Sequence, residues 1–234
     1  FGVRQRRMLS LKAAEAPNEL VLSATPIPRS LALVLYGDLD LSVVDELPPG
    51  RTPVKTRIVP EEKRDGLYDF IRREAAAGRQ TYIVCPLVEE SEQIDARSAQ
   101  EMYAELCTGP LADLRLGLTY GEQDAAEKAA VIDAFSAGQL DVLVATTVIE
   151  VGVNVPSATV MVIENADRFG LSQLHQLRGR VGRGAKESWC FLMAAPNERL
   201  KTLCETGDGF LIAKKDLEMR GPGDFLGTRQ HGDT

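Results

Sequence analysis

The sequence predicts an α/β fold built on a doubly wound parallel sheet. Short apolar runs recur along the chain, and stretches with helical periodicity lie between them. Nearly continuous apolar runs are typical of strands that are covered on both faces, as in a parallel sheet. Because strand and helix alternate, we expect helices on both faces of one sheet.

The individual elements follow from these patterns. Strands are predicted at 20–24, 56–59, 81–85, 114–120, 141–147, 158–164 and 188–193. Helices are predicted at about 61–77, 91–106 and 122–137, the last with an apolar face formed by Ala130, Val131, Ala134 and Phe135. Residues 196–219 are predicted to form two short helices, with Asp208 as the N-cap of the second. The glycine-rich residues 221–232 predict an extended loop.

Composition argues against several classes of protein. The 234 residues carry a formal net charge of −7, which does not suit a protein that coats DNA by bulk attraction. The apolar runs are too short to cross a bilayer. Four scattered cysteines and two histidines, without C-x-x-C spacing, argue against a zinc site and for reduced thiols in a cytosolic protein. The chain begins with Phe rather than Met, so we expect it to be a piece of a longer protein.

One segment departs from the acidic composition. Between Arg168 and Lys186 there are five basic residues and no acidic one, and Arg178, Arg180 and Arg183 are interspersed with glycines. A planar guanidinium bonds phosphate oxygens in a fixed geometry, so the segment predicts a local anion site. A solvated basic turn is the alternative interpretation.

Three segments together resemble motifs of superfamily 2 helicases. Residues 20–51 contain the Ser-Ala-Thr of the third motif, and residues 142–156 (VLVATTVIEVGVNVP) resemble the fifth. Residues 173–184 (QLHQLRGRVGRG) carry the Q-x-x-G-R-x-G-R pattern of the sixth. With the terminal segment 207–232, their order and spacing resemble the RecG branch-migration helicases over essentially the whole chain. The translocase part of the transcription-repair coupling factor is also similar, but the YGDLDLSVVDELPPGR and DLEMRGPGDFLGTRQHG stretches favour RecG.

The resemblance implies a RecA-like domain organisation. Residues 1–50 would be the end of a first RecA-like helicase domain and a linker. Residues 51–195 would be the second RecA-like domain, and residues 196–234 the helical hairpin and loop of a translocation motif. Asp45 and Glu46 are interpreted as part of a turn rather than a magnesium-binding box, because Pro-Pro-Gly follows them directly.

The resemblance also implies which residues meet the nucleotide. Arg180 and Arg183 would reach the phosphates of ATP as catalytic arginine fingers, and Gln176 would hold or sense the nucleotide. Gly152 would allow a tight turn. Asn154, where many relatives carry Asp, would face the ribose.

A further set of residues would contact DNA or couple its movement to ATP. By resemblance these are Thr146 and Thr147 in the fifth motif, Ser23 and Thr25 in the third, and Arg199, Arg220, Arg229 and Gln230 in the tail. A plain helix start is the alternative for the third motif, and a frayed terminus is the alternative for the tail. Tyr120, where relatives often carry His, leaves the DNA role of its loop open.

ATP and Mg²⁺ are the implied cofactors, both bound mainly by the first RecA-like domain. The chain has no G-x-x-x-x-G-K-[ST] phosphate loop, so the piece alone is expected to be inactive as an ATPase. The implied partners are branched and double-stranded DNA and the first RecA-like and wedge domains of the same full-length chain, in the bacterial cytoplasm and with no membrane. A non-catalytic RecA-like DNA-binding module is the alternative from another class.

Overall fold

The computed structural model of the chain describes residues 52–86, 92–146 and 155–220, together with positions 42 and 44. The predicted strand at 20–24, the turn at Asp45 and Glu46, and the loop at 221–232 lie outside these residues.

The described residues contain a six-stranded sheet in which every paired strand is parallel. Its strands are β1 (Val54–Val59), β2 (Gln80–Cys85), β3 (Leu116–Thr119), β4 (Val142–Thr146), β5 (Ala158–Ile163) and β6 (Ser188–Met193). Their order across the sheet is β1-β6-β5-β2-β4-β3. The central strands β5, β2 and β4 are buried along their whole length, which explains their continuous apolar runs.

Helices cover both faces of the sheet, so the predicted doubly wound fold is confirmed. They are α1 (Arg64–Ala76), α2 (Glu92–Thr108), α3 (Ala125–Ser136), α4 (Leu171–Arg178), α5 (Glu198–Glu205) and α6 (Gly209–Arg220). One apolar core contains Ile71 of α1 and Leu106 of α2. The other contains Phe135 of α3, Leu174 of α4 and Ile212 of α6. The six described strands are all parallel, so their carboxyl ends meet at one edge, where open α/β sheets place their ligands.

The opposite, amino-terminal edge is closed by the buried amide of Gln80. Its Nε2 donates to the carbonyl oxygens of Phe135 and Leu140, each at 2.6 Å, and its Oε1 accepts from the hydroxyl of Ser157. A buried amide whose groups are all bonded fixes the loops around it. The end of α3 and the starts of β2 and β5 are therefore tied together far from the carboxyl edge.

Several sequence predictions can be compared with these bounds. The two short helices near the end of the chain are confirmed, and the carboxylate of Asp208 accepts from the backbone N–H of Phe210 at 2.8 Å. Helix α3 begins later than predicted because Asp124 caps it, accepting from the N–H of Ala126. Ala130 is exposed on this helix, so its place on the predicted apolar face was wrong.

Candidate functional site

Helix α4 leads into the arginine-rich segment. Leu171 and Leu174 are fully buried and attach the helix to the core, while Gln173 and Gln176 are exposed. The side chain of Gln173 turns back and accepts from the N–H of Gly170 at 3.0 Å, which satisfies a donor at the helix start. The exposed face of α4 and the loop that follows therefore have a fixed orientation on the sheet.

The three arginines of this segment do not share one environment. Arg178 is only 5% exposed, Arg180 is half-buried, and Arg183 is exposed. The guanidinium of Arg178 donates to the carbonyl oxygens of Leu203 at 2.6 Å and Thr206 at 2.9 Å. Arg178 thus binds backbone groups within the protein, so the anion predicted from the cluster of three is left to Arg180 and Arg183.

A second contact of Arg178 determines the tautomer of a neighbour. Its Nη2 lies 2.9 Å from Nδ1 of His175. A guanidinium only donates hydrogen bonds, so Nδ1 accepts and the imidazole is neutral, with its proton on Nε2. The side chains of His175 and Arg178, one turn apart on α4, therefore bond to each other.

The loop that carries Arg180 and Arg183 has a tightly determined backbone. Val181 is fully buried between them. Gly182 has φ +75°, and a Cβ atom there would lie 2.7 Å from a methyl group of Val54, so only glycine fits without displacement. The hydroxyl of Thr52 lies within hydrogen-bonding distance of the carbonyl oxygens of residues 184 and 186, at 3.3 and 3.2 Å. The residues before β1 thus hold the far side of the loop.

The two loop arginines make the surroundings electropositive. Burial raises the pKa of the Tyr82 hydroxyl, and the positive charges of Arg180 and Arg183 act against that rise. The Nε of Arg183 makes a long hydrogen bond of 3.4 Å to the carbonyl oxygen of Gly179 and is otherwise on an exposed side chain. The arrangement presents two guanidinium groups on a preorganised backbone, which suits stabilisation of phosphate charge.

Thr146 occupies the carboxyl end of β4. It is 2% exposed, and its hydroxyl oxygen has no hydrogen-bond partner among the described residues. A buried hydroxyl without a partner is costly, which is consistent with a group that meets a further partner at this edge.

Comparison with known proteins identifies the family. The model of the helicase conserved C-terminal domain matches residues 62–185, more than half of the chain. The chain belongs to this family. This chain is also 52% identical over 237 residues to the ATP-dependent DNA helicase RecG of Synechocystis, covering 99% of this chain and 28% of that protein. The RecG of Thermotoga maritima is 51% identical over 237 residues, covering 99% of this chain and 30% of that protein.

A solved structure of RecG bound to a three-way DNA junction is also similar. It matches with a TM-score of 0.73 and 46% identity, over 90% of this chain and 30% of that chain. The resemblance to RecG-type helicases is therefore confirmed. This chain spans about a third of the length of the relatives it matches.

Many of the predicted site residues lie outside the part of the chain that the structure describes. These are Ser23, Thr25, Thr147, Gly152, Asn154, Arg229 and Gln230. Arg220 closes α6 as predicted, but its side chain is outside the described residues as well. Gln176, Arg180 and Arg183 are brought together at the end of α4 and in the loop after it.

Arg199 has a contact that the sequence did not indicate. From α5 its guanidinium donates to the carbonyl oxygen of Phe169 at 2.6 Å and to that of Asp167. These carbonyls belong to the turn that precedes α4. Arg199 therefore connects the α5–α6 hairpin to the turn before helix α4.

The pair of Arg64 and Glu164 was missed by sequence reasoning. Arg64 begins α1 and Glu164 directly follows β5, and their two charged ends bond through both oxygens at 2.8 and 2.9 Å. Glu61 bonds the same guanidinium, and the two carboxylates raise the pKa of Arg64 above its ordinary value. The only available signal was an acidic residue at the end of a predicted buried strand, and its partner lies 100 residues away.

The thiol of Cys85, at the end of β2, is unsuited to act as a nucleophile near neutral pH. Burial, together with the charge of Glu164, raises the pKa of Cys85 to about 12. The thiol therefore stays protonated near neutral pH. Among residues 52–86, 92–146 and 155–220, the structure shows no group of three His, Cys, Asp or Glu side chains that could hold a metal ion. None of the helices in those ranges has the length and apolar character needed to span a membrane.

Proposed function

We propose that this chain is the C-terminal helicase portion of an ATP-dependent DNA helicase that remodels branched DNA, such as stalled forks and Holliday junctions. The observation that carries the proposal is the loop of Arg180 and Arg183, whose backbone is fixed by Gly182 and Thr52. The RecG names of the relatives, and the junction in one solved structure, support DNA as the substrate.

The two arginines act on the phosphates of ATP. Charge spreads over the oxygens of the γ-phosphoryl group in the transition state, and guanidinium groups held in place stabilise that charge without reorganisation. Gln176, on the exposed face of α4 one turn earlier, holds the nucleotide. Gly152 and Asn154 complete the nucleotide contacts.

ATP and Mg²⁺ are bound mainly by a first RecA-like domain in the full-length protein. The sequence has no phosphate loop, and the described residues offer no cluster of metal ligands. Mg²⁺ supplies charge neutralisation at the β- and γ-phosphates when bound. This chain alone is accordingly inactive as an ATPase, and its contribution is the pair of arginine fingers.

Residues 179–187, between α4 and β6, form the arginine loop. Movement of this loop is passed to the α5–α6 hairpin through two contacts. Arg178 bonds the end of α5, and Arg199 of α5 bonds the turn before α4. Thr146, Thr147, Ser23, Thr25, Arg220, Arg229 and Gln230 are the residues proposed to meet DNA or to relay the nucleotide state to it. The protein acts in the bacterial cytoplasm, where branched DNA arises.

Substitution of Arg180 in the full-length protein tests the proposal. Arg180→Ala should lower DNA-stimulated ATP hydrolysis on the order of 10³-fold or more while leaving affinity for a three-way junction near wild type. Arg115→Ala is the matched control, because Arg115 is exposed and pairs with Asp141 at the amino-terminal edge of the sheet. Normal hydrolysis in Arg180→Ala would contradict the proposal.

Two alternatives predict other outcomes. A non-catalytic DNA-binding module would show no hydrolysis in the wild type and weaker DNA binding in Arg180→Ala. The translocase of a transcription-repair coupling factor would hydrolyse ATP but would not unwind forks. Fork unwinding by the wild-type protein distinguishes the proposed function from both.

A further inference from the structure

Glu164 lies at a special position in the sheet. It directly follows β5, and its N–H donates to the carbonyl oxygen of Val84 near the end of the adjacent strand β2. The helix after β2 packs on one face of the sheet, and the helix after β5 packs on the other. Strand connections that diverge in this way open a crevice at the carboxyl ends, and such crevices usually hold ligands. In this structure the ion pair of Glu164 and Arg64 lies at this position.

The guanidinium of Arg64 makes five hydrogen bonds, two of them to Glu164. The side chain of Glu164 is 6% exposed, and each of its oxygens accepts from a different nitrogen of Arg64. The same guanidinium donates to both oxygens of Glu61, at 2.5 and 2.8 Å, and to the hydroxyl of Tyr68 at 3.2 Å. A bidentate contact fixes direction as well as distance. The end of β5 is therefore attached to the start of α1 in one orientation.

The turn after Glu164 leads into helix α4, and the arginine loop follows that helix. Asn165 has φ +46°, the only left-handed non-glycine residue that the described backbone contains, and Ala166 is fully buried. A conformation of this kind persists only where its surroundings enforce it. Helix α4 starts at Leu171, seven residues after Glu164, and ends at Arg178, next to the arginine loop. A change of direction at Glu164 is thus passed to α4 over a short, rigid segment.

We propose that Glu164, held by Arg64, is a positioning residue for Arg180 and Arg183. The ion pair anchors the turn before α4 to the sheet, and this anchor places the two guanidinium groups where the phosphates of ATP lie. The inference rests on the proposed function of these arginines. The role of Glu164 is distinct from that of Arg199, which joins the same turn to the α5–α6 hairpin.

The test uses the full-length protein with Glu164→Gln, which keeps the shape of the side chain and removes its charge. The matched control is Glu74→Gln at the other end of α1, where Glu74 is 12% exposed and bonds Arg79 through both oxygens. We expect kcat for DNA-stimulated ATP hydrolysis to fall about 10- to 100-fold in Glu164→Gln, with KM for ATP near wild type. Hydrogen exchange of the amides at 165–183 should become faster in Glu164→Gln and stay unchanged in the control.

Combination with Arg180→Ala separates positioning from general destabilisation. If Glu164 acts through the two arginines, adding Glu164→Gln to the Arg180→Ala/Arg183→Ala double variant should lower kcat no further. A further loss equal to that of the single variant would overturn the inference. It would also be overturned if Glu164→Gln matched Glu74→Gln in both hydrolysis and hydrogen exchange.

Failure of the proposed function is distinguishable from failure of the inference alone, which leaves Arg180→Ala impaired while Glu164→Gln hydrolyses ATP like the wild type. If Arg180→Ala hydrolyses ATP normally, the proposed function fails, and the inference fails with it even if exchange at 165–183 is faster in Glu164→Gln. If Glu164→Gln does not fold, Arg64→Lys takes its place, because lysine keeps the charge and loses the two-pronged contact. Wild-type kcat in a folded Arg64→Lys protein would overturn the inference, and a reduced kcat with unchanged KM would support it.

Discussion

The guanidinium of Arg178 donates a 2.6 Å hydrogen bond to the carbonyl oxygen of Leu203, which joins the end of α4 to the last turn of α5. The same group also bonds the carbonyl of Thr206 and the ring of His175. One buried side chain thus satisfies acceptors from two elements that are distant in sequence. Loss of this side chain would leave those acceptors buried without donors.

Arg178→Ala should therefore destabilise the protein by about 2 kcal/mol or more, because unsatisfied buried groups cost more than the bonds themselves gain. Urea unfolding measures the change in the free energy of unfolding. Arg183→Ala is the control, since an exposed side chain with one long hydrogen bond should change stability by less than about 0.5 kcal/mol. Equal stability of the two variants would mean that Arg178 is not structural.

Gly182→Ala tests the backbone of the arginine loop. An alanine at φ +75° is strained, and its Cβ would lie 2.7 Å from Val54, so we expect a loss of about 1 to 3 kcal/mol in stability. ATP hydrolysis by the full-length protein should fall as well, because both neighbouring arginines move. Gly121→Ala, with no atom within 4 Å of its new Cβ, should change neither quantity. Full activity in Gly182→Ala would show that the loop tolerates displacement.

Arg183→Ala distinguishes a nucleotide contact from a DNA contact. As an arginine finger its loss should lower hydrolysis on the order of 10³-fold or more with little change in DNA affinity. As a phosphate contact on DNA its loss should instead weaken binding and reduce the salt dependence by about one counterion. Hydrolysis and salt-dependent DNA binding measured on one preparation decide between them.

The fold was largely predictable from the sequence because its strongest signals are local. The apolar runs that became the central strands β2, β4 and β5 are buried on both faces, and Asp208 and Asn197 cap the last two described helices through their own neighbouring N–H groups. Helix α4 was not predicted. Its eight residues offer only Leu171, Leu174 and Leu177 as an apolar face, and neighbouring helices rather than periodicity stabilise it.

The candidate site was predictable only where residues close in sequence act together. The arginine cluster was recognisable, yet nothing in the sequence indicated that Arg178 points inward while Arg183 is exposed. That difference depends on carbonyls 25 and 28 residues further along the chain. Arg64 and Glu164 are 100 residues apart, and a single sequence carries no signal that relates them.

The buried thiols predict how stability changes with pH. Burial raises the pKa of Cys85 and of Cys190 to about 12, whereas an unfolded thiol titrates near 8.5. Above about pH 9 the unfolded chain loses protons that the folded protein keeps, so the free energy of unfolding should fall as pH rises toward 12. Cys85→Ala should flatten this fall when unfolding is measured from pH 7 to 10.5. An unchanged slope would mean that the thiol is not shielded.

Arg199→Ala should separate ATP hydrolysis from DNA movement. Arg199 joins the α5–α6 hairpin to the turn before α4, but the same turn remains anchored to the sheet by Glu164. The arginine loop should therefore keep its place and hydrolysis should stay near wild type, while fewer base pairs of a fork are unwound per ATP. Lys201→Ala is the control, because that exposed lysine pairs with Glu198 on the surface of the same helix.

Arg229→Ala and Gln230→Ala should also hydrolyse ATP near the wild-type rate and unwind fewer base pairs per ATP, if the tail transmits movement of the α5–α6 hairpin to DNA. Binding to the fork should change little in all three variants, because coupling rather than affinity is lost. The measurement is the ratio of unwinding to hydrolysis on one fork substrate, at saturating ATP. A wild-type ratio in Arg199→Ala would limit that residue to holding the turn, and a wild-type ratio in the two tail variants would remove the tail from the coupling path.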